Sequence, residues 1–312
     1  MVWESPKGVI LKEPTWENVE VGERFGPIEI VIDDHRIKSH AYAINDYHPW
    51  YFADSPFGGR IGHATLLTNS LLAIYVLGYN RDNVAGLHAR EELELFGPIK
   101  LGQRIILEGT FSEKFVRRDK SYTVLTAEAR DTNGKVLIRN KGIEVFRIPQ
   151  GLVPGQRTAK PEGPAVTGEV PAGAPVVEKA SRDIPVGAAL PAVSDVVTFE
   201  QMTVFSFGTR NIHTDREAAV AAGLAAPIAQ GLMSTGYLSK LLVNFFGKQW
   251  FLTGRTSHAF VKTVEINDVI TTRGLVRERV NEADGVRLVL DVWCRNQKGE
   301  MATVGTASAL VP

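Results

Sequence analysis

The sequence predicts an α+β fold built from two similar units, and three observations point to it. A Pro/Gly/Ala-rich stretch at residues 149–192 has neither helical nor strand period and divides the chain nearly in half. The segments on either side resemble each other: an offset of 165 takes Val21-Gly22 to Val186-Gly187. Each half then carries one apolar helical run followed by long strand-like runs. With 312 residues the chain suits two domains of about 150 each. We place the first unit at 1–150, a linker at 151–185 and the second unit at 186–312.

The elements follow the same order in both halves. "VEVGERFGPIEIVIDDHRIKSHAYAINDYH" (19–48) lies on "RDIPVGAALPAVSDVVTFEQMTVFSFGTRNIH" (182–213), which reads as a short strand, a helical turn and a polar loop. The offset of 165 takes Asp46-x-His48 to Asn211-x-His213 without a gap, while Ile61 matches Ile228 at 167. Next comes one long helix; residues 65–77, "TLLTNSLLAIYVL", are apolar almost all round and so must be buried. The closing runs alternate and turn at Asn133-Gly134, Asp284-Gly285 and Lys298-Gly299, as antiparallel hairpins do. A sheet wrapped around one buried helix, repeated side by side, gives an internal pseudo-two-fold.

Composition excludes several function classes. Hydrophobic residues make up 44% and charged residues 22%, the balance of a folded soluble protein. Lys+Arg and Asp+Glu both total 35, so no charge excess points to nucleic acid or to an anionic membrane. The single cysteine, Cys294, lies in a strand-like run and reads as a buried thiol; it excludes an internal disulfide and a Cys-rich zinc site. "MVWESPKGVILKEP" lacks the apolar core of a signal peptide, and no run reaches the roughly 18 residues of a membrane span. A cytoplasmic protein is expected. Phosphate-cradling glycine loops, H-E-x-x-H and G-x-S-x-G are all missing, which argues against nucleotide-dependent, metalloprotease or serine-hydrolase chemistry. "KFVRRDK" (114–120) can meet phosphates or form a solvated hairpin face.

Two loops hold the candidate chemistry. Asp46 and His48, two apart in extended chain, point to one side: the imidazole can take and return a proton while the carboxylate holds a water or orients the ring. The same pair can equally form only a polar turn. In the second half, Asn211 and His213 stand in the matching loop, and Thr214 with Asp215 and Glu217 reads as a helix start. Gly231 at the head of the second buried helix can offer backbone N–H groups to an oxyanion, or merely permit close packing. His63 precedes the first buried helix and is a candidate partner at its N-terminus. Tyr47, Trp50 and Tyr51 can cover an apolar tunnel or pack in the core.

These residues resemble a known family. The second half is similar to the MaoC-like (R)-specific enoyl-CoA hydratases and dehydratases, whose pattern is roughly G-D-x-N-P-[LI]-H-x-D followed by P-I-x-H-G. Here Gly208-Thr209-Arg210-Asn211-Ile212-His213-Thr214-Asp215 and Pro227-Ile228-Ala229-Gln230-Gly231 stand in that order. The resemblance implies a double hotdog fold and a hydro-lyase acting on a 2-enoyl or 3-hydroxyacyl thioester. It also implies no metal or other cofactor, since CoA enters only as part of an acyl-CoA or acyl-carrier substrate. A homodimer of double hotdogs would suit such a fold. By resemblance, His213 is the acid/base, Asn211 positions the loop, and Gly231 polarises the thioester carbonyl.

The departures bear on which half reacts. Laid on the family pattern, a residue is missing between Asn211 and His213, the family's Asp falls near Thr209, and Gln230 replaces the His before the glycine. In the first half, "D-Y-H-P-W-Y" aligned by the family pattern puts Tyr51 at the His, whereas the internal repeat puts His48 there. Fused relatives use the first half as an acyl platform, which favours His213. Asp46 and His48 supply both a carboxylate and an imidazole, and on that chemistry the reading leans to the first loop. A hotdog thioesterase and a degenerate acyl-thioester-binding protein are the alternatives.

Overall fold

Alternating side chains in the closing runs become one continuous ten-stranded antiparallel sheet in this computed structural model, which describes residues 8–84, 86–117, 120–145 and 166–312. Residues 1–7, read above for targeting, residues 151–165 of the expected linker, and residues 118–119 of "KFVRRDK" lie outside the described residues. The first half contributes β1 (Arg24–Val31), β2 (Leu87–Leu95), β3 (Arg104–Arg117), β4 (Lys120–Asp131) and β5 (Val136–Val145). The second contributes β6 (Val193–Val196), β7 (Arg255–Phe260), β8 (Val269–Glu282), β9 (Gly285–Arg295) and β10 (Met301–Val311). Their order, β1-β3-β4-β5-β2-β7-β10-β9-β8-β6, reads the same from either end once the halves are exchanged. The seam is β2 against β7, from Arg90↔Ala259 to Glu94↔Arg255. This is the expected α+β double hotdog.

Helices lie on the inner face. The first half has α1 (Asp34–Ala43), capped by Asp33, and α2 (Thr68–Leu72). The second has α3 (Phe199–Phe205), α4 (Arg216–Ala221), α5 (Gly231–Phe246) and α6 (Lys248–Thr253). Thr198 and Gln201 form a capping box on α3. Close approach of helix and sheet needs a bare backbone at Gly109, where a Cβ would stand 2.5 Å from the Ile74 side chain.

The two buried helices differ. α5 runs for 16 residues, 13 of them buried, as an all-round apolar helix should. Its counterpart is not one long helix: α2 has five residues and passes into a 3-10 helix over Ala73–Leu77. The β-branched Thr65, Thr68, Ile74 and Val76 weaken it. Thr68 also turns its hydroxyl back to the Thr65 carbonyl (3.0 Å), and Asn69 reaches across to the Phe205 carbonyl (2.7 Å).

Residues 166–190 run along the second half. Ala180 N–H donates to the Phe245 carbonyl at the end of α5 (2.9 Å), and Ile184 is buried. Cys294 is buried beside Thr272, and burial pushes its thiol up to about 12. Among the described residues no helix is long and apolar enough to cross a membrane.

Candidate active site

Backbone hydrogen bonds decide how the two loops correspond. α1 and α3 start 165 residues apart, at caps Asp33 and Thr198, but α3 has 7 residues against 10 in α1. Both then end alike, with Asn45 and Phe207 at φ 52° and 57°. Asp46 N–H donates to the Ala41 carbonyl as Gly208 N–H does to that of Thr203, both at 2.9 Å. Farther on, Ile61 N–H donates to the Trp50 carbonyl (3.1 Å) and Ile228 N–H to that of Ile212 (3.4 Å). The counterpart of Asp46 is therefore Gly208, and that of His213 is Tyr51. The ungapped sequence match of Asp46-x-His48 to Asn211-x-His213 is corrected by three residues, the length α3 lacks. The place of the family's Asp falls on Gly208 rather than Thr209, with no residue missing before His213.

In the second half the loop is built from its own polar side chains. Asn211 accepts the His213 N–H on its Oδ1 (2.8 Å) and donates Nδ2 to Thr209 (2.9 Å), so its amide is spent on positioning. Asp215 caps α4 through the Ala218 N–H at 2.8 Å. His213 Nδ1 lies 2.7 Å from the Ile228 carbonyl oxygen. A carbonyl only accepts, so Nδ1 carries the proton and Nε2 holds the lone pair. Burial lowers the His213 pKa to about 4 against the opposing pull of that carbonyl. The ring is therefore a neutral base at pH 7.

The N-terminus of α5 lines the same cavity as His213. No side chain caps it, because Gln230 donates its Nε2 to Ser206 Oγ instead (2.9 Å). The first N–H groups of a helix lack intrahelical partners and favour negative charge. A Cβ on Gly231 would stand 3.0 Å from the Phe260 ring. His213, Asn211 and Gly231 share a cavity of about 530 Å³ with Asn69, Tyr75, His88 and Glu144 of the first half.

The first-half residues expected from the sequence, Asp46, Tyr47, His48, Trp50, Tyr51 and His63, do not line this cavity. Asp46 is 5% exposed and is held by its neighbours: Oδ1 accepts the His48 N–H (3.2 Å) and Oδ2 the Tyr51 hydroxyl (3.2 Å). His63, 1% exposed, has Nε2 3.3 Å from Asp46 Oδ2, while its Nδ1 accepts the Thr65 N–H at 3.1 Å. Burial works to raise the Asp46 pKa, but His63 and Lys240 outweigh it and the net direction is down. His48 Nδ1 accepts the Trp50 N–H and caps the short turn Pro49–Tyr51. Trp50 packs on Phe57 and Phe251, Tyr51 is fully buried, and Tyr47 is more than half exposed. Where a matching cavity would open, Ile44 is pressed against Gly236, at which a Cβ would come within 2.8 Å.

Sequence reading missed Asn69, His88, Glu91 and Glu144. His88 and Glu91 are three apart, and in a regular strand they would face opposite ways. A bulge at Ala89 turns both inward: His88 pairs with Glu144 and Glu91 with Gly142. Nothing in the sequence marks that bulge.

Fold and site together define a double hotdog with its open cavity at the second-half loop. Residues 180–290, most of the second half, match the family described as the MaoC like domain. No curated protein matches the sequence. Among solved structures, a protein described as a MaoC-like dehydratase superposes with a TM-score of 0.75 at 16% identity, over 96% of this chain and 100% of that one. A Mycobacterium tuberculosis protein described as a double hotdog fold gives 0.66 at 14% identity, over 96% and 98% of the two chains. The Drosophila melanogaster peroxisomal multifunctional enzyme type 2 gives 0.60 at 16% identity, covering 92% of this chain and 48% of that one. At these identities the likeness is one of fold.

Proposed function

We propose that the protein is a hydro-lyase that reversibly adds water to a 2-enoyl thioester, giving the 3-hydroxyacyl thioester, at the second-half loop. The observation that carries this reading is the His213 ring. Its Nδ1–H is committed to Ile228, which leaves Nε2 as a base in a cavity that also receives the uncapped N-terminus of α5. In the forward direction Nε2 takes a proton from water as the oxygen bonds to carbon 3. Electrons move from the carbon–carbon double bond toward the thioester oxygen, where the Gly231 N–H and the helix N-terminus stabilise the enolate-like charge. The imidazolium then returns its proton to carbon 2, so one side chain serves both transfers. CoA or a carrier arm is the thioester's other half, and the chemistry needs no redox partner.

The test is direct. Mixing the protein with a short-chain 2-enoyl-CoA should diminish the enoyl-thioester absorbance without releasing free thiol. Thiol release would instead assign a hotdog thioesterase, which attacks the carbonyl carbon. Gly208, which brings no carboxylate where Asp46 stands in the first half, favours a second reading as an acyl-thioester-binding protein. In that case acyl-CoA would raise the Tm while nothing turns over.

A further inference from the structure

The first-half end of the cavity is not a hydrocarbon surface. Across the inner face, Thr123 of β4, Glu144 of β5 and His88 of β2 stand in one row of paired residues. Glu91 is added by the bulge, its Oε2 3.0 Å from His88 Nε2. Gly142 leaves room beside them for the Leu72 side chain, since a Cβ there would meet Leu72 Cδ1 at 2.4 Å, with His88 Nε2 at 3.5 Å and Glu91 Oε2 at 3.7 Å. Glu91 is fully buried and Glu144 only 7% exposed. Glu91 Oε2 has the His88 contact, whereas Glu144 Oε2, like Glu91 Oε1 and Thr123 Oγ1, is buried without a hydrogen-bond partner among the described residues, and of these three residues Glu144 lines the cavity. Burial pushes the Glu144 carboxyl up to about 7.

A buried polar atom without a partner costs free energy that a fold has no reason to bear unless something else satisfies it. What Glu144 lacks is a donor. We propose that this end of the cavity is a subsite for an acyl group carrying a hydrogen-bond-donating substituent, a hydroxyl or an amino group, rather than for a plain hydrocarbon chain. The subsite is close to the reacting end: the Phe260 ring borders Gly231 and lies 4.8 Å, centroid to centroid, from the His88 ring. The acyl group is accordingly short, with its polar substituent one ring's breadth beyond the thioester. This assignment rests on the cavity being the acyl-thioester site proposed above.

The test uses three saturated short-chain acyl-CoAs of equal length, unsubstituted, ω-hydroxy and ω-amino, with Kd measured by calorimetry on the full chain. The wild type should bind at least one substituted ligand about tenfold or more tighter than the unsubstituted one. Glu144→Leu should erase that preference, and Glu144→Gln, which keeps an acceptor oxygen, should retain it for the hydroxyl. Equal or tighter binding of the plain chain, or a preference that survives Glu144→Leu, overturns the subsite. Because these ligands are saturated, the outcome does not depend on turnover. Discrimination in binding without hydration of the matching enoyl-CoAs would leave the subsite standing and remove the hydro-lyase. Hydration without discrimination would do the reverse.

Discussion

Tyr51 stands in the first half where His213 stands in the second. Each follows the carbonyl, of Trp50 or of Ile212, that accepts an isoleucine N–H. The contact between Tyr51 and Asp46 (3.2 Å) shows that these two places in the fold touch. At these two places the first copy has a carboxylate and a phenol; the second has Gly208 and an imidazole. Neither copy has both a carboxylate and an imidazole at these two places, and among the four residues His213 lines the cavity.

Because burial holds the His213 pKa near 4, the base is already unprotonated at pH 5–6. The acid limb of kcat/KM for hydration should fall near pH 4, well below the ordinary histidine value of 6.5. A limb at 6.5 would mean that the titrating group is a solvated histidine rather than this one.

Glu144 should leave a mark on stability. Its carboxyl is raised from 4.5 to about 7, so in that window the folded state binds more protons than the unfolded one. Stability therefore falls as pH rises from 4.5 toward 7, and the loss is complete above it. Glu144→Gln should be more stable than the wild type by about 1–3 kcal/mol at alkaline pH and should lose that advantage in acid, as read from urea midpoints. An advantage independent of pH would contradict the assignment.

The contact that closes the first-half loop is sensitive to one methyl group. Gly236→Ala places a Cβ 2.8 Å from Ile44 Cγ2, with Cβ of the same side chain at 3.3 Å. Overpacking of this kind should cost about 1–3 kcal/mol in chemical denaturation. A neutral result would mean that the loop yields easily and that its closure is loose.

Much of the architecture was legible in particular residues. The apolar run after Gly231 marked α5, and the glycines at 134, 285 and 299 marked hairpins that form with positive φ. The proposed site was legible in part. His213 and Gly231 stood out through family spacing, but the loop register was hidden, because the three residues α3 lacks leave no gap in an ungapped match. Asp46-x-His48 then looked like the better-equipped dyad; folding spends it on Tyr51, His63 and a turn. The polar far wall was invisible for another reason. A single bulge at Ala89 decides which way His88 faces, and side-chain periodicity cannot register one extra residue.

The proposed hydration places its chemistry on His213 rather than on the Asp46 loop. Its most direct test is His213→Asn, whose amide can still donate to the Ile228 carbonyl while supplying no base, compared with His48→Ala on one 2-enoyl-CoA. With both variants folded by Tm, His213→Asn should lose about a hundredfold or more in kcat and His48→Ala should stay within a few fold of wild type. Turnover preserved in His213→Asn and abolished in His48→Ala would contradict it.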